Sequence, residues 1–104
     1  MAYRIIVTQQ FEQSLDECID YLAELTRNKY TINNFLKKIE AAISTLESFP
    51  ESSPVLENQK LEKKHLRKIH LIHFKYKIFY RVEKELVYLI DILHDSQDYE
   101  NRLS

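Results

Sequence analysis

The chain has 104 residues, the size of one small domain with a single hydrophobic core, and it contains no glycine. Without glycine it cannot form the Gly-rich loops of P-loop and dinucleotide-binding proteins or a standard EF-hand. The formal net charge is -1, the single cysteine Cys18 cannot form an internal disulfide, and no apolar run is long enough for a membrane span. We therefore expect one cytoplasmic domain, residues 1–104, without a membrane segment.

The first elements are a strand and a helix. Residues 2–8 are rich in β-branched and aromatic types and predict a short strand, after which Thr8 can cap a helix. From Gln9 to Thr26 the apolar residues recur with a helical period and form one stripe. The opposite face carries an acidic row at i, i+4 spacing, which is either solvated or faces a partner. Its members are Glu12, Asp16, Asp20 and Glu24.

A second striped helix is predicted from Tyr30 to Ser48. The polar residues 27–29 interrupt the stripe between the two helices, and Asn28 is the natural substitute for glycine at the end of the first one. Two amphipathic helices joined by a short break indicate an antiparallel helical hairpin. Pro50 and Pro54 end the second helix, so residues 50–60 are expected to form an irregular loop.

The remaining chain predicts three strands. Residues 65–71 and 73–82 alternate, and residues 86–93 are nearly all apolar, which is typical of a strand buried on both faces. Glu83 and Lys84 form a tight polar turn between the last two strands. After His94, Ser96 is expected to cap one helical turn in which Tyr99 and Leu103 pack at i, i+4 spacing.

This order predicts an α+β fold with an N-terminal strand, a helical hairpin and then three antiparallel strands. The helices cover one face of an antiparallel sheet, and the other face is expected to be open, concave and cationic. Residues 60–81 contain eight basic residues and one acid, a net charge of +7, whereas the rest of the chain has a net charge of -8. His65, His70 and His73 are not expected to bind a metal, because i and i+3 on a strand point to opposite faces.

Three ordered segments resemble the RelE/ParE toxin superfamily of bacterial type II toxin–antitoxin modules. They are YRIIVTQQFEQSLDECIDYL, TLESFPESSP and HLRKIHLIHFKYKIFYRVEKELVYLIDILHDSQDY, and together they cover essentially the whole chain. The resemblance implies the same strand, helical hairpin and three-strand fold. It also implies a cognate antitoxin that wraps the toxin with an extended segment, and no cofactor, metal or small-molecule substrate.

The superfamily contains mRNA-cleaving members, which act in the ribosomal A site, and members that poison DNA gyrase. Toward the first activity, Arg67 and Lys68 match basic positions of the second strand, and Lys77 stands where arginine is usual. His94 matches a histidine at the end of the last strand, and Tyr99 lies near the place of a C-terminal tyrosine. Where that histidine is often followed by Gly-Arg-Arg, this chain has Asp-Ser-Gln.

The missing arginines and the net charge favour the ParE branch, a growth-arresting toxin that poisons DNA gyrase. The alternative is a ribosome-dependent mRNA endonuclease, in which the catalytic residues would be Arg67, Lys68, Lys77, His94 and Tyr99. A second alternative is a non-toxic co-repressor that only binds an antitoxin. The basic stretch is either a solvated face or the docking surface for an acidic antitoxin segment or the target. The residues expected to bind the antitoxin or the target are Lys63, Lys64, Lys75 and Arg81.

Overall fold

An N-terminal strand and a capped helix begin the fold. The computed structural model describes residues 2–58 and 60–103. Strand β1 is Arg4–Val7, shorter than predicted, and helix α1 is Gln9–Thr26, with the predicted bounds. The Thr8 hydroxyl accepts a hydrogen bond from the backbone N–H of Phe11 at 3.2 Å and donates one to the carbonyl of Leu89 at 2.6 Å. The predicted cap is therefore confirmed, and it also ties the start of α1 to the sheet.

The helical hairpin is confirmed, but its junction differs from the prediction. Helix α2 is Lys29–Ser48, and Asn28 caps it by accepting a hydrogen bond from the backbone N–H of Tyr30 at 2.9 Å. Arg27, not Asn28, ends α1 in the left-handed conformation, with φ 50°. The prediction for Asn28 was wrong because its side-chain oxygen satisfies an N–H group of α2. The left-handed turn then falls on Arg27, at a cost of roughly 1 kcal/mol for a residue with a Cβ atom.

The sheet has four strands in the order β1-β4-β3-β2, where β2 is Arg67–His70, β3 is Tyr76–Glu83 and β4 is Leu86–His94. The last three strands pair antiparallel, as predicted. Strand β1, however, pairs parallel to the first half of β4, so the sheet is mixed and the prediction of an antiparallel sheet was wrong. The helical hairpin and two strands separate β1 from β4, so no tight turn sets their relative direction.

Left-handed residues shift the strand ends from their predicted positions. His65 and His73 have φ 51° and 70°, and neither can extend a strand, so β2 and β3 begin later than expected. The turn between β3 and β4 consists of Lys84 and Glu85, one residue later than predicted, and Lys84 has φ 56°. These turns use residues that carry a Cβ atom where many proteins use glycine.

The helical hairpin packs on one face of the sheet, as predicted. Phe35 of α2 is fully buried and meets Phe74 and Tyr76 edge to face, with ring centroids 5.1 and 5.3 Å apart. The buried residues of this helix-side core are Phe11, Cys18, Leu22, Phe35, Ile39, Ala42, Leu46, Leu71, Tyr76, Ile78, Tyr80, Val87, Leu89 and Ile92.

The opposite sheet face is covered, so the prediction of an open face was wrong. Phe79 and Leu93 are buried on it by the loop after α2 and by helix α3, Tyr99–Leu103, in a second core with Leu61, Leu66 and Leu103. Because a strand face with these apolar residues must be shielded from water, the chain covers it. The predicted C-terminal helical turn is confirmed. Ser96 does not cap it, since its hydroxyl lies 2.8 Å from Nδ1 of His94.

Candidate functional site

Two lysines and a tyrosine lie together on the sheet face that α3 covers. Lys68 of β2 is paired in register with Phe79 of β3, and the Tyr99 ring of α3 stacks on the Phe79 ring with centroids 5.2 Å apart. The Nζ atoms of Lys68 and Lys77 lie 6.0 and 5.6 Å from the centre of the Tyr99 ring. Helix α3 therefore brings Tyr99 to both lysines, and we call Lys68, Lys77 and Tyr99 the lysine–tyrosine cluster.

The lysine–tyrosine cluster is partly neutralised. Nζ of Lys77 lies 3.7 Å from a carboxylate oxygen of Asp95, and the Lys77 side chain is only 14% exposed. A mostly buried ammonium group next to a carboxylate attracts a phosphate less strongly than a fully exposed one. The cluster offers two cations for an anionic group, but Asp95 competes for one of them.

His94 lies on the other side of the sheet from this cluster. Its ring meets Tyr76 edge to face at a centroid distance of 5.0 Å, and Tyr76 belongs to the helix-side core. The backbone N–H of Ser96 donates to Nδ1 of His94 at 3.1 Å, so Nδ1 acts as an acceptor. Because the sheet separates His94 from Lys68 and Lys77, the structure does not bring these three side chains to one site.

Arg67 holds the loop that follows α2. Its Nη1 atom donates to the backbone carbonyl of Ser53 and, at 3.4 Å, to that of Glu51. Beside it the Tyr80 hydroxyl donates to the carbonyl of Pro50 at 2.7 Å, and burial raises the pKa of Tyr80. The guanidinium of Arg67 is thus engaged by the backbone, away from the lysine–tyrosine cluster.

The residues expected to bind a partner are spread over the surface. Lys63 and Lys75 are exposed, whereas Lys64 donates to the backbone carbonyl of Leu103 and so holds the end of α3. The Arg81 guanidinium lies 5.1 Å from the centre of the Tyr88 ring and 3.5 Å from a carboxylate oxygen of Glu83. These basic side chains form a dispersed surface and not a single pocket.

A buried carboxylate was not foreseen from the sequence. Asp91 of β4 is 0% exposed, and its Oδ1 accepts from the backbone N–H of Ile92 at 2.8 Å. Its Oδ2 lies 3.4 Å from Nε of Arg102 in α3 and 3.3 Å from Nε2 of Gln10 in α1. The available signal was that Asp91 is an acidic residue within the otherwise apolar sequence of β4. A charge buried in such a strand needs a partner.

A cavity of about 280 Å³ opens between α1 and the end of β4. Its lining residues are Ser14, Glu17, Cys18, Tyr21, Tyr76, Ile92, His94, Ser96, Gln97 and Arg102. Burial raises the pKa of the Cys18 thiol to about 11 and that of Tyr76, its hydrogen-bond partner, to about 12. Cys18 is therefore a neutral, buried core residue and not an activated nucleophile.

Two kinds of feature are absent from the described residues. Within residues 2–58 and 60–103, no group of three His, Cys, Asp or Glu side chains is arranged to hold a metal ion. In the same part of the chain, no helix combines the length and the apolar character that crossing a membrane requires.

The order of elements and the mixed four-stranded sheet define a class of small α+β proteins that includes a known toxin–antitoxin structure. The solved "Chromosomal ParDE TA system from P. aeruginosa" has this fold, with a TM-score of 0.71 and 14% sequence identity over 89% of this chain and 96% of that one. The family model of the ParE toxin of the type II toxin–antitoxin system parDE matches residues 5–99. The chain therefore belongs to the ParE toxin family. A search of curated proteins found no match to it.

Proposed function

We propose that the chain is a growth-arresting toxin that acts in the cytoplasm by binding and poisoning DNA gyrase, and that a cognate antitoxin neutralises it. The observation that carries this proposal is the position of His94, which the sheet separates from Lys68 and Lys77. Cleavage of RNA needs an acid and a base close to the cations that stabilise the phosphate. Without that arrangement, binding to a protein target is the better supported mechanism.

The mRNA endonuclease is the second candidate, and one observation favours it. Lys68, Lys77 and Tyr99 lie together, and two cations beside a tyrosine form a surface that can bind phosphate. Of the other three residues in the predicted catalytic set, only Tyr99 contacts the lysines. A third candidate is a co-repressor that binds the antitoxin without being toxic.

The antitoxin is proposed to contribute an extended acidic segment that binds the basic surface. Residues 60–81 have a net charge of +7, and within them Lys63 and Lys75 are exposed. Complementary charge speeds association and fixes the register of a bound segment. The solved P. aeruginosa structure is that of a ParDE toxin–antitoxin system, and this supports a partner of the antitoxin class.

Regulated expression in a bacterium that lacks the antitoxin separates the three candidates. Gyrase poisoning should give filamentous cells, DNA-damage signalling and, with purified gyrase, inhibited supercoiling. Rapid loss of translation with mRNA cut within codons would establish the endonuclease instead. Normal growth despite a folded, soluble toxin would contradict both toxic mechanisms.

Two variants show whether the predicted catalytic residues matter. His94→Ala and Lys77→Ala should leave growth arrest unchanged if the toxin acts by binding gyrase. Lys37→Ala in α2, which removes a cation outside the basic stretch, is the matched control for charge. Loss of toxicity in both test variants, with the control still toxic and all three folded, would favour catalysis.

A further inference from the structure

The cover formed by α3 and the loop after α2 extends over one half of the second sheet face. Val87 and Leu89 of β4 point into the helix-side core, so Tyr88 between them points to the second face. Ile6 of β1 and Arg81 of β3 are paired in register with Tyr88 and point the same way. These three side chains are half-buried, and none of them belongs to the second core. They form one row of a surface beside the cover.

The next row of this surface contains a basic, an apolar and an acidic residue in that order. Leu86 of β4 is paired in register with Arg4 of β1 on one side and with Glu83 of β3 on the other. The Arg4 side chain is exposed and forms no ion pair with another residue that the structure describes. The Glu83 side chain is 60% exposed, and only its Oε2 lies near Arg81, at 3.5 Å. The open sheet surface consists of Arg4, Ile6, Arg81, Glu83, Leu86 and Tyr88.

The order of charges across the open sheet surface is complementary to itself. A two-fold axis that runs along β4 places β1 of one copy opposite β3 of a second copy. Arg4 of each copy then lies opposite Glu83 of the other, and Leu86 and Tyr88 meet their own counterparts at the axis. An axis perpendicular to the strands would place Arg4 opposite Arg4 and Glu83 opposite Glu83, and such like-charge pairs are unfavourable.

The position of the cover is compatible with this symmetry. The cover buries Phe79 of β3 and Leu66 beside β2, so most of it lies on one side of β4. The axis carries the cover of the second copy to the side of β1, which ends at Val7, level with Leu89 of β4. Two facing sheets pack about 10 Å apart. The two covers therefore lie side by side, each beyond the end of β1 of the other copy.

We propose that two copies of this chain form a symmetric dimer through the open sheet surface. The half-buried Leu86 and Tyr88 supply the apolar centre, and two Arg4–Glu83 pairs fix the register. The helical hairpins lie on the outer faces of both copies. Because the contact area is small, the dimer is weak and forms as the protein concentration rises. The proposal does not depend on gyrase or on the antitoxin, since it rests on the register of β1, β3 and β4.

Sedimentation equilibrium of the whole chain tests the dimer. Between about 10 µM and 1 mM protein, in about 50 mM salt, we expect the average mass to rise from 12.6 kDa toward twice that value. Raising the salt to about 500 mM should weaken the dimer, because the charge pairs are solvated. A mass that stays at 12.6 kDa up to the highest concentration would overturn the proposal.

Charge-exchange variants test the pairing of Arg4 with Glu83. Arg4→Glu and Glu83→Arg each create two like-charge contacts and should weaken the dimer by about fivefold or more. The double variant restores opposite charges and should return the dissociation constant to within about threefold of the wild-type value. Lys29→Glu makes the same change in net charge as Arg4→Glu at an exposed position of α2, and should change the constant by less than about twofold. Failure of the double variant to restore association would contradict the pairing.

NMR of the ¹⁵N-labelled protein locates the interface. The amide signals of Arg4, Leu86 and Tyr88 should shift with protein concentration, while those of Tyr21 and Leu25, exposed apolar residues of α1, should not. Circular dichroism shows that each variant is folded. Concentration-dependent shifts confined to α1, or a dimer that Arg4→Glu does not weaken, would place the contact on another face and contradict the proposal.

Discussion

Asp91 joins three elements of the fold through one buried carboxylate. It lies in β4 and contacts Gln10 at the start of α1 and Arg102 in α3. Replacing Asp91 with Ala leaves Arg102 without its buried partner and Ile92 without a side-chain acceptor. We expect the free energy of unfolding to fall by about 2 to 4 kcal/mol, measured by urea denaturation.

The matched control is Glu83→Ala, which removes a carboxylate from an exposed pair with Arg81. The two side chains of this pair are 60% and 38% exposed. A solvated pair contributes little, so the change should be within about 0.5 kcal/mol. A similar loss in both variants would show that burial of Asp91 adds nothing to the strength of its contacts.

The raised pKa values of Cys18 and Tyr76 make the free energy of unfolding fall at alkaline pH. Burial raises the pKa of Cys18 from 9.0 to about 11, and that of Tyr76 from 10.0 to about 12. Above pH 9 the unfolded chain releases the thiol proton while the folded chain keeps it, so stability falls as pH rises from about 9 to 11. Between these values the wild type should lose about 2 kcal/mol more than Cys18→Ala.

The measurement is a series of urea denaturation curves between pH 8 and 11 for both proteins. Only the slopes against pH are compared, because the alanine variant also loses packing contacts at neutral pH. Parallel slopes would contradict a raised pKa at Cys18.

At the scale of single residues, the sequence was sufficient to predict features that depend only on neighbouring residues. Thr8 was recognised as a cap because hydroxyls favour that position, and the bounds of α1 followed from its stripe. The side of the sheet on which His94 lies was not predictable. A register shift between Phe79 and Tyr80 changes which side chains of the β3–β4 pair point to each face of the sheet. No residue pattern in the sequence indicates this shift.

The elements are joined by turns that use left-handed residues other than glycine. Lys84 in the β3–β4 turn has φ 56°, and a Cβ atom is unfavourable there. Lys84→Gly should therefore raise the free energy of unfolding by about 0.5 kcal/mol, after allowance for the greater freedom of glycine in the unfolded chain. Thermal denaturation followed by circular dichroism measures the change.

The neighbouring residue supplies the control for this turn. Glu85 has no positive φ, so Glu85→Gly gains no relief of strain and should lower the free energy of unfolding by about 0.5 to 1 kcal/mol. If both variants shifted stability in the same direction, strain at Lys84 would not be the cause.

Elements whose contacts are distant in sequence were predicted less well. The helical hairpin and the three antiparallel strands followed from periodicity and short connections. The direction of β1 and the covering of the second sheet face by α3 depend on packing between remote segments. Phe79 alternates with Lys77 and Arg81 in the sequence, but nothing in the local pattern shows that Tyr99 stacks on it.

On the scale of the whole molecule, charge is divided between a basic and an acidic part. Residues 60–81 have a net charge of +7 and the rest has -8. If an acidic antitoxin segment binds the basic part, its association rate should fall at least about tenfold between 50 and 500 mM salt, since salt screens the attraction. Stopped-flow fluorescence with a labelled antitoxin peptide measures this rate.

Paired lysine variants test which surface steers the association. Lys63→Gln combined with Lys75→Gln should flatten the dependence of the rate on salt. Lys37→Gln with Lys38→Gln in α2 makes the same change in charge outside the basic stretch and should leave it nearly unchanged. An equal effect of both pairs would assign the steering to net charge and not to the proposed surface.

The parallel pairing of β1 with β4 sets the time at which the fold can close during synthesis. Residues 4–7 find their partners only in residues 86–89. At ribosomal rates of about 5 to 20 residues per second, roughly 4 to 16 seconds pass between translation of the two segments. During that interval α1 lacks β4, the strand on which it packs, so part of its apolar stripe stays accessible. The chain therefore cannot complete its sheet until its last strand has been made.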